Sequence, residues 1–151
     1  MEIRVDDPRR TDVAKLLREH LQEVTSHAPP ESTHALDIEA LCSPGITFWA
    51  AWEEHELLGC GALLEIDRRH GEIKSMRTAK DHLRKGVASE ILKHILDAAR
   101  QRSYTRLSLE TGSMEAFEPA RVFYSRFGFV VCSPFADYRP DQHSVFMTLT
   151  L

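Results

Sequence analysis

The spacing of apolar residues changes at Leu83, and this change constrains the fold more than any other feature of the chain. Before it, three segments of strand-like composition follow one another, at 46–52, 57–66 and 72–78, with short polar or glycine-bearing turns between them. After it, apolar residues recur every three or four positions up to about Arg102, which is typical of one helix face. The sequence therefore predicts three antiparallel strands in series, followed by a helix that crosses to a further strand.

The segments on either side complete an α+β pattern. The other predicted elements are a strand at 3–5, a helix from Thr11 that ends before a loop at 27–33, a short helix at 35–41, a strand at 105–111, a helix at 116–127 and strands at 129–132 and 145–149. Their order is βααβββαβαββ. This order predicts an α+β domain with a strand-helix-strand crossover in its second half.

Length and charge exclude several classes of protein. With 151 residues, of which 42% are hydrophobic and 28% charged, the chain is expected to form one domain over 1–151. Its 19 basic side chains against 23 acidic ones lack the dense positive face that duplex nucleic acid requires. No apolar stretch approaches the roughly 20 residues that span a bilayer, and no leader-like segment is present. We expect a cytoplasmic protein that binds neither nucleic acid nor membrane.

Cysteines and histidines do not predict a metal site. The three cysteines are widely spaced and odd in number, which also argues against a disulfide framework. His20, His27 and His34 recur every seventh residue, but Pro29 and Pro30 break any helix between the last two. These histidines therefore cannot share one helical face, and we expect no metal.

A basic, glycine-bearing turn leads into the long helix. It reads Leu83-Arg84-Lys85-Gly86-Val87-Ala88-Ser89. The unpaired N–H groups of a helix start, the positive end of the helix dipole and two cationic side chains all favour a bound phosphate group. The alternative is a plain helix start with surface cations.

This turn and a later segment together resemble the GNAT family of N-acetyltransferases. The family's acyl-coenzyme A turn reads Gln/Arg-x-x-Gly-x-Gly/Ala and is matched at Gly86 and Ala88. Its later signature, an alanine, a tyrosine four residues on and then Gly-Phe, is matched at Ala120, Tyr124, Gly128 and Phe129. The element order is also that of the family. The resemblance covers essentially the whole chain and implies a mixed, mostly antiparallel central sheet with helices on both faces.

Two positions depart from the family's pattern. Leu83 stands where the family usually has Gln or Arg, although Arg84 beside it keeps the charge. Phe117 stands where an asparagine often precedes the alanine by three residues. Neither departure removes the backbone amides that bind pyrophosphate in this family, so acyl-CoA binding is still expected.

The resemblance implies direct transfer of an acetyl group from acetyl-CoA to the amine of a small molecule. Such a reaction needs a base for the ammonium proton, donors for the oxyanion and an acid for the leaving thiolate. Tyr124 is the predicted acid, because a phenol with an ordinary pKa of about 10 is protonated at neutral pH. Glu72, fourteen residues before Gly86, is the predicted base, and Glu110 and His143 are its competitors.

The resemblance also assigns binding residues. Cofactor binding is expected at Arg84, Lys85, Gly86, Val87, Ala88 and Ser89 of the turn. It is also expected at the backbone of Met76, Arg77 and Thr78, where the third strand is expected to splay from its neighbour and pair with the pantetheine arm. The acceptor site is expected between the first helices and the final loop, with His27, His34 and Asp37 on one side and Asp137, Tyr138 and Arg139 on the other. Of these, His34, Asp37 and Tyr138 are the predicted substrate-binding residues. Charges of both signs there suit a small zwitterionic amine, and solvated loop residues are the alternative.

Two other functions stay open at this point. One is a non-catalytic acyl-CoA-binding regulatory module that kept the fold, in which Glu72 and Tyr124 would point away from the cofactor. The other is an enzyme that acetylates protein N-termini or lysines, which would need an open groove in place of a closed pocket.

Two tryptophans bear on assembly. Trp49 and Trp52 have different parities on their strand, so they are expected on opposite faces. One is expected in the core, and the other on the sheet's far side or against a second copy of the chain, which leaves a homodimer open.

Overall fold

A computed structural model describes residues 1–151. Its helices and strands are β1 (Glu2–Val5), α1 (Thr11–His27), α2 (Ile38–Leu41), β2 (Ile46–Glu53), β3 (Glu56–Asp67), β4 (His70–Thr78), α3 (Val87–Gln101), β5 (Arg106–Gly112), α4 (Glu118–Arg126), β6 (Val130–Cys132) and β7 (Ser144–Thr150). Short 3-10 turns lie at Pro30–Ser32, Lys80–His82 and Glu115–Phe117. The α+β class and the order of elements agree with the sequence prediction.

All seven strands form one sheet in the order β1-β2-β3-β4-β5-β7-β6. Every neighbouring pair is antiparallel except β4 and β5, which are parallel. The parallel pair is the one that α3 connects, because two parallel neighbours need a crossover between them. The sheet is therefore mixed and mostly antiparallel, as predicted.

The sheet carries a hydrophobic core on each face. The apolar stripe of α3, with Tyr124 of α4, packs on one face, and the stripe of α1, with Leu41 of α2, packs on the other. Trp49 belongs to the first core and Trp52 to the second, at 4% and 5% exposure. The far-side prediction for one tryptophan is thus confirmed. Because both are buried within the protomer, neither offers a surface to a second copy of the chain.

Two glycines of β3 let α3 approach the sheet closely. A Cβ atom on Gly61 would lie 2.9 Å from Cγ2 of Ile91, and one on Gly59 would lie 3.0 Å from Cγ1 of Val87. Both distances are below ordinary van der Waals contact, so a larger residue would push the helix away. The first turn of α3 is thereby fixed beside the end of β4.

Several element boundaries differ from the sequence prediction. α1 has 17 residues and extends through His27, because its first stop signal is the proline pair beyond it. α3 begins only at Val87, because Arg84 and Gly86 have left-handed backbone angles, with φ of 64° and 80°. α4 begins at Glu118 after one 3-10 turn. No helix combines the length and the apolar character needed to cross a membrane.

Candidate active site

The two parallel strands separate part-way along their length. β4 and β5 pair with each other only at 70–72 and 106–108. Beyond these residues, β4 continues to Thr78 and β5 to Gly112 with no hydrogen-bonded pairing between the two strands. A cleft of about 1010 Å³ lies where they part, lined by residues 72–78 and 109–112. The expected splay is therefore present, and it opens the middle of the sheet.

β4 carries a bulge on the edge that pairs with β3. The register with β3 shifts between Cys60 and Ala62, opposite Ser75, which has a left-handed φ of 55°. Beyond the bulge, β3 pairs with one edge of 76–78, and no strand pairs with the other edge. Backbone groups on that second edge are left for a ligand in the cleft. The side chain of Arg77 turns to α1, where Nη1 donates a hydrogen bond of 2.6 Å to Oε2 of Glu23.

The basic turn reaches the same cleft at the start of α3. Gly86 is the N-cap residue of this 15-residue helix, and no side chain caps the amides that follow it. A Cβ atom placed on Gly86 would meet no heavy atom within 4 Å, so the backbone is open to a close-fitting ligand. Of the predicted turn residues, the following line the cleft: Arg84, Gly86, Val87, Ala88 and Ser89. Lys85 lies outside it, with Nζ 3.2 Å from Nδ1 of His82.

Tyr124 borders the cleft from α4. Its side chain packs against the rings of Phe123 and Phe129, with centroids 5.2 and 5.6 Å away. Burial raises the pKa of Tyr124 well above the ordinary value of a phenol, because the phenolate would be poorly solvated there. The hydroxyl group is therefore protonated at neutral pH.

Glu72 lies on β4 at the point where the strands part, and it is 3% exposed. Its Oε2 accepts hydrogen bonds from the hydroxyl of Tyr138 at 2.6 Å and from Nζ of Lys74 at 3.2 Å. Nζ of Lys74 also donates to the Tyr138 hydroxyl at 3.0 Å. These three groups form a closed triangle, which holds the Glu72 carboxylate in one orientation.

Glu110 faces Glu72 from the neighbouring strand. It lies on β5 beyond the parting point, is partly buried and lines the cleft. Burial raises the pKa of Glu110 to about 7, and the negative charge of Glu72 adds to this effect while Lys74 opposes it. A carboxyl group with this pKa exchanges its proton readily near neutral pH.

Comparison with known proteins agrees with this geometry. The profile of the Acetyltransferase (GNAT) family matches residues 12–129. The chain is 60% identical to the uncharacterized N-acetyltransferase YsnE of Bacillus subtilis strain 168, over 100% of both chains. It is 50% identical to the uncharacterized N-acetyltransferase YedL of Escherichia coli K12, over 99% of this chain and 94% of that one.

The chain belongs to the GNAT family. It is accordingly an N-acetyltransferase, as the resemblance of its motifs implied. Among solved structures, it is similar to a Bacillus subtilis acetyltransferase in complex with CoA. That structure has a TM-score of 0.73 at 15% identity, with coverage of 99% of this chain and 98% of that one. This likeness shows that the two proteins share the GNAT fold.

In this GNAT protein, two loops meet beside Glu72. Oγ of Ser32 donates a hydrogen bond of 2.6 Å to Oδ2 of Asp141, joining the loop after α1 to the loop before β7. The ring of His34 meets the ring of Tyr138 edge-on, with centroids 5.0 Å apart. His34 and Ser32 line the cleft.

Of the remaining predicted acceptor and base residues, one lines the cleft and two lie outside its lining. His143 lines the cleft, whereas Tyr138 reaches it only through its hydrogen bonds to Glu72 and Lys74. Asp37 lies outside the cleft lining, where its carboxylate caps α2 by accepting a hydrogen bond of 2.8 Å from the Ala40 amide. In this structure, Asp37 is therefore a helix-capping residue.

Sequence reasoning missed one cleft residue, Lys74, and one contact, that of Phe117 with His27. Lys74 had a usable signal, because it lies two positions from Glu72 on one strand and so shares its face. Phe117 packs against Gly112, and its ring lies 6.0 Å from that of His27 on α1, so that the two rings meet across the cleft. That contact has no sequence signal, since it joins segments far apart in the chain. No group of three or more metal-ligating side chains is arranged to hold a metal ion.

Proposed function

We propose that this protein transfers the acetyl group of acetyl-CoA to the amine of a small molecule, in one step with both substrates bound. The observation that carries the proposal is the cleft itself. It joins an uncapped, glycine-bearing helix start to an unpaired strand edge and then to Tyr124, Glu72 and Glu110. Family membership gives the reaction class, and the cleft supplies a place for each part of it.

Acetyl-CoA would bind along two backbone segments. The pyrophosphate is expected at the amides of 84–89, where the helix dipole and the side chain of Arg84 favour negative charge. The pantetheine arm is expected along the free edge of 76–78, where an extended chain with amide groups would add to the sheet like a strand. Both segments line the same cleft, so one elongated ligand is able to reach both.

The reaction forms the C–N bond, breaks the C–S bond and moves three protons. The ammonium first gives a proton to a carboxylate, and the neutral amine then attacks the thioester carbonyl. As the C–S bond breaks, the departing thiolate takes a proton from Tyr124, and the nitrogen gives up its second proton, which restores the Tyr124 hydroxyl. N–H groups on the free edge of 76–78 are the expected donors to the oxyanion.

We assign the proton acceptor to Glu110 and a positioning role to Glu72. The pKa of Glu110, about 7, suits a group that must gain and lose a proton near neutral pH. Oε2 of Glu72 already accepts hydrogen bonds from Lys74 and Tyr138, which hold this carboxylate in place. The sequence-based choice of Glu72 stays a competing prediction, and the paired Gln variants considered below decide between the two.

The loops that meet at the acceptor end favour a small molecule over a protein substrate. The Ser32–Asp141 hydrogen bond and the His34–Tyr138 ring contact join these loops beside Glu72. A polypeptide bearing a lysine or an N-terminus would need an open groove there.

The experiment is a two-stage measurement on the purified protein. Calorimetry measures acetyl-CoA binding, and release of free CoA is then followed against a panel of small amines and lysine-bearing peptides. We expect binding, with CoA release for at least one small amine and none for the peptides. Release with peptides alone would favour protein acetylation, binding with no release would favour a regulatory module, and no binding would overturn the proposal.

A further inference from the structure

We propose that the acceptor carries a carboxylate close to its amine and that the ammonium group of Lys74 binds this carboxylate. The inference rests on the proposed function, since it concerns the acceptor end of the same cleft. It names a substrate class, amino acids and their close analogues, and one residue that selects it.

The first observation is that the ammonium group of Lys74 has fewer acceptors in the protein than it has N–H donors. The side chain of Lys74 is 9% exposed and lines the cleft. An ammonium group has three N–H donors, and protein atoms accept from two of them, Oε2 of Glu72 and the hydroxyl of Tyr138. The third donor is left for a ligand.

The second observation is the balance of charge around Lys74. Glu72 neutralises Lys74, and the pKa of Glu110, about 7, leaves this second carboxyl only partly charged at neutral pH. Burial lowers the pKa of His34, and the charge of Lys74 lowers it further, so its imidazole is neutral at that pH. Lys74, Glu72 and Glu110 together therefore carry only a small net negative charge at neutral pH.

A carboxylate on the acceptor would accept a hydrogen bond from the third donor of Lys74. The amine of the same molecule would then lie near Glu110, which takes its proton. An acceptor with both groups adds no net charge to the site.

The third observation is the placement of the two protein groups. Lys74 lies on β4 and Glu110 on β5, each two residues beyond the last pair of the two strands, Glu72 and Ser108. Both residues line the cleft. A carboxylate bound at Lys74 holds a neighbouring amine between the strands, where the thioester is expected. A short molecule with one or a few carbons between amine and carboxylate fits this arrangement.

The test compares matched substrates and matched variants. Wild-type protein is assayed for CoA release with L-amino acids and with the corresponding L-amino acid amides, which keep the amine and lose the carboxylate. We expect kcat/KM for the preferred acid to exceed that of its amide by about 10-fold to 100-fold, which is typical for loss of a charged hydrogen bond. Lys74→Met should abolish this preference, mainly by raising KM for the acid, and Lys74→Arg should retain part of it.

Lys93→Met serves as the control, because Lys93 is an exposed lysine on α3 that pairs only with Glu90. This variant should keep the preference of the wild type. Amides acetylated as well as or better than acids, or acids still preferred by Lys74→Met, would overturn the inference. Should Lys74→Met fail to fold, the comparison of acids and amides with the wild type decides alone.

Failure of the inference and failure of the proposed function give different results. CoA release with amines that lack a carboxylate, and none with amino acids, would overturn the inference and leave the proposed function standing. No acetyl-CoA binding, or no CoA release with any amine, would overturn the proposed function together with the inference.

Discussion

Glu110 is the residue whose ionisation matters most for the proposed chemistry. Because its folded-state pKa is about 7, kcat/KM should rise with pH and level off above that value, as the carboxylate becomes available to accept a proton. Glu110→Gln should lose this inflection and reduce turnover by roughly 100-fold to 10,000-fold at neutral pH. Raising the pH should partly restore its turnover, because the amine then deprotonates in solution.

Glu72→Gln is the matched control for that pH profile. It keeps Glu110 and should therefore keep the inflection, moved to a lower pH because the charge of Glu72 no longer raises the pKa of Glu110. KM for the acceptor should rise, because Lys74 loses its charged partner. If Glu72→Gln loses the inflection and Glu110→Gln keeps it, the sequence-based assignment of the base is correct.

Glu110 should also make stability depend on pH. Burial raises its folded-state pKa above the ordinary value of 4.5, so the folded protein binds the proton more tightly than the unfolded chain. Stability is therefore lost as the pH rises from about 4.5 to about 7. Glu110→Gln should be more stable than wild type by about 1 to 3 kcal/mol at pH 8 and little different at pH 4, as measured by urea unfolding. An equal difference at both values of pH would contradict this account.

Tyr124 gives a separate prediction for the thiolate step. Tyr124→Phe should lower turnover by roughly 100-fold to 10,000-fold, because the hydroxyl matters mainly as the thiolate forms. The affinity for acetyl-CoA, measured by calorimetry, should change little, since the ring is kept. Unchanged turnover with chemistry rate-limiting would make Tyr124 a packing residue of the core around Phe129.

At the scale of elements, the start of α3 carries the clearest prediction. Gly86→Val places a β-branched residue at a φ of 80° and projects a side chain into space that is empty in this structure. Acetyl-CoA affinity should fall by more than about 10-fold, because an uncapped helix start binds phosphate only where the backbone is approachable. Gly45→Ala is the control, since its Cβ would make an ordinary contact of 3.8 Å with Leu64. A folded Gly86→Val that binds acetyl-CoA as tightly as before would place the phosphates elsewhere.

The elements themselves could be predicted from apolar spacing, because each buries one stripe or one face. The change of period at Leu83 was enough to separate the first strands from the crossover helix. The start of α3 was misplaced by four residues, since left-handed angles at Arg84 delay the helix and Arg carries no local signal for them. The bulge at Ser75 could not be predicted either, because serine carries no local signal for its left-handed backbone angle.

At the scale of the whole molecule, the part of the cleft at the start of α3 could be predicted from the sequence, and the contacts around Glu72 could not. The turn at Gly86 is a local motif, and its neighbours in the chain define it. The triangle of Glu72, Lys74 and Tyr138 joins residues 64 and 66 positions apart, so it depends on how the loop before β7 folds back over the sheet. The charge of Asp37 indicated a binding role, whereas the structure places it outside the cleft lining, where its carboxylate caps α2.

The central claim is that one cleft, where β4 and β5 part, holds acetyl-CoA. Amide hydrogen exchange with and without acetyl-CoA tests it most directly, because backbone amides are the expected contacts. We predict slower exchange on binding at both 76–78 and 84–89, the free strand edge and the helix start. Binding that leaves both segments unchanged, while slowing exchange elsewhere, would contradict the account.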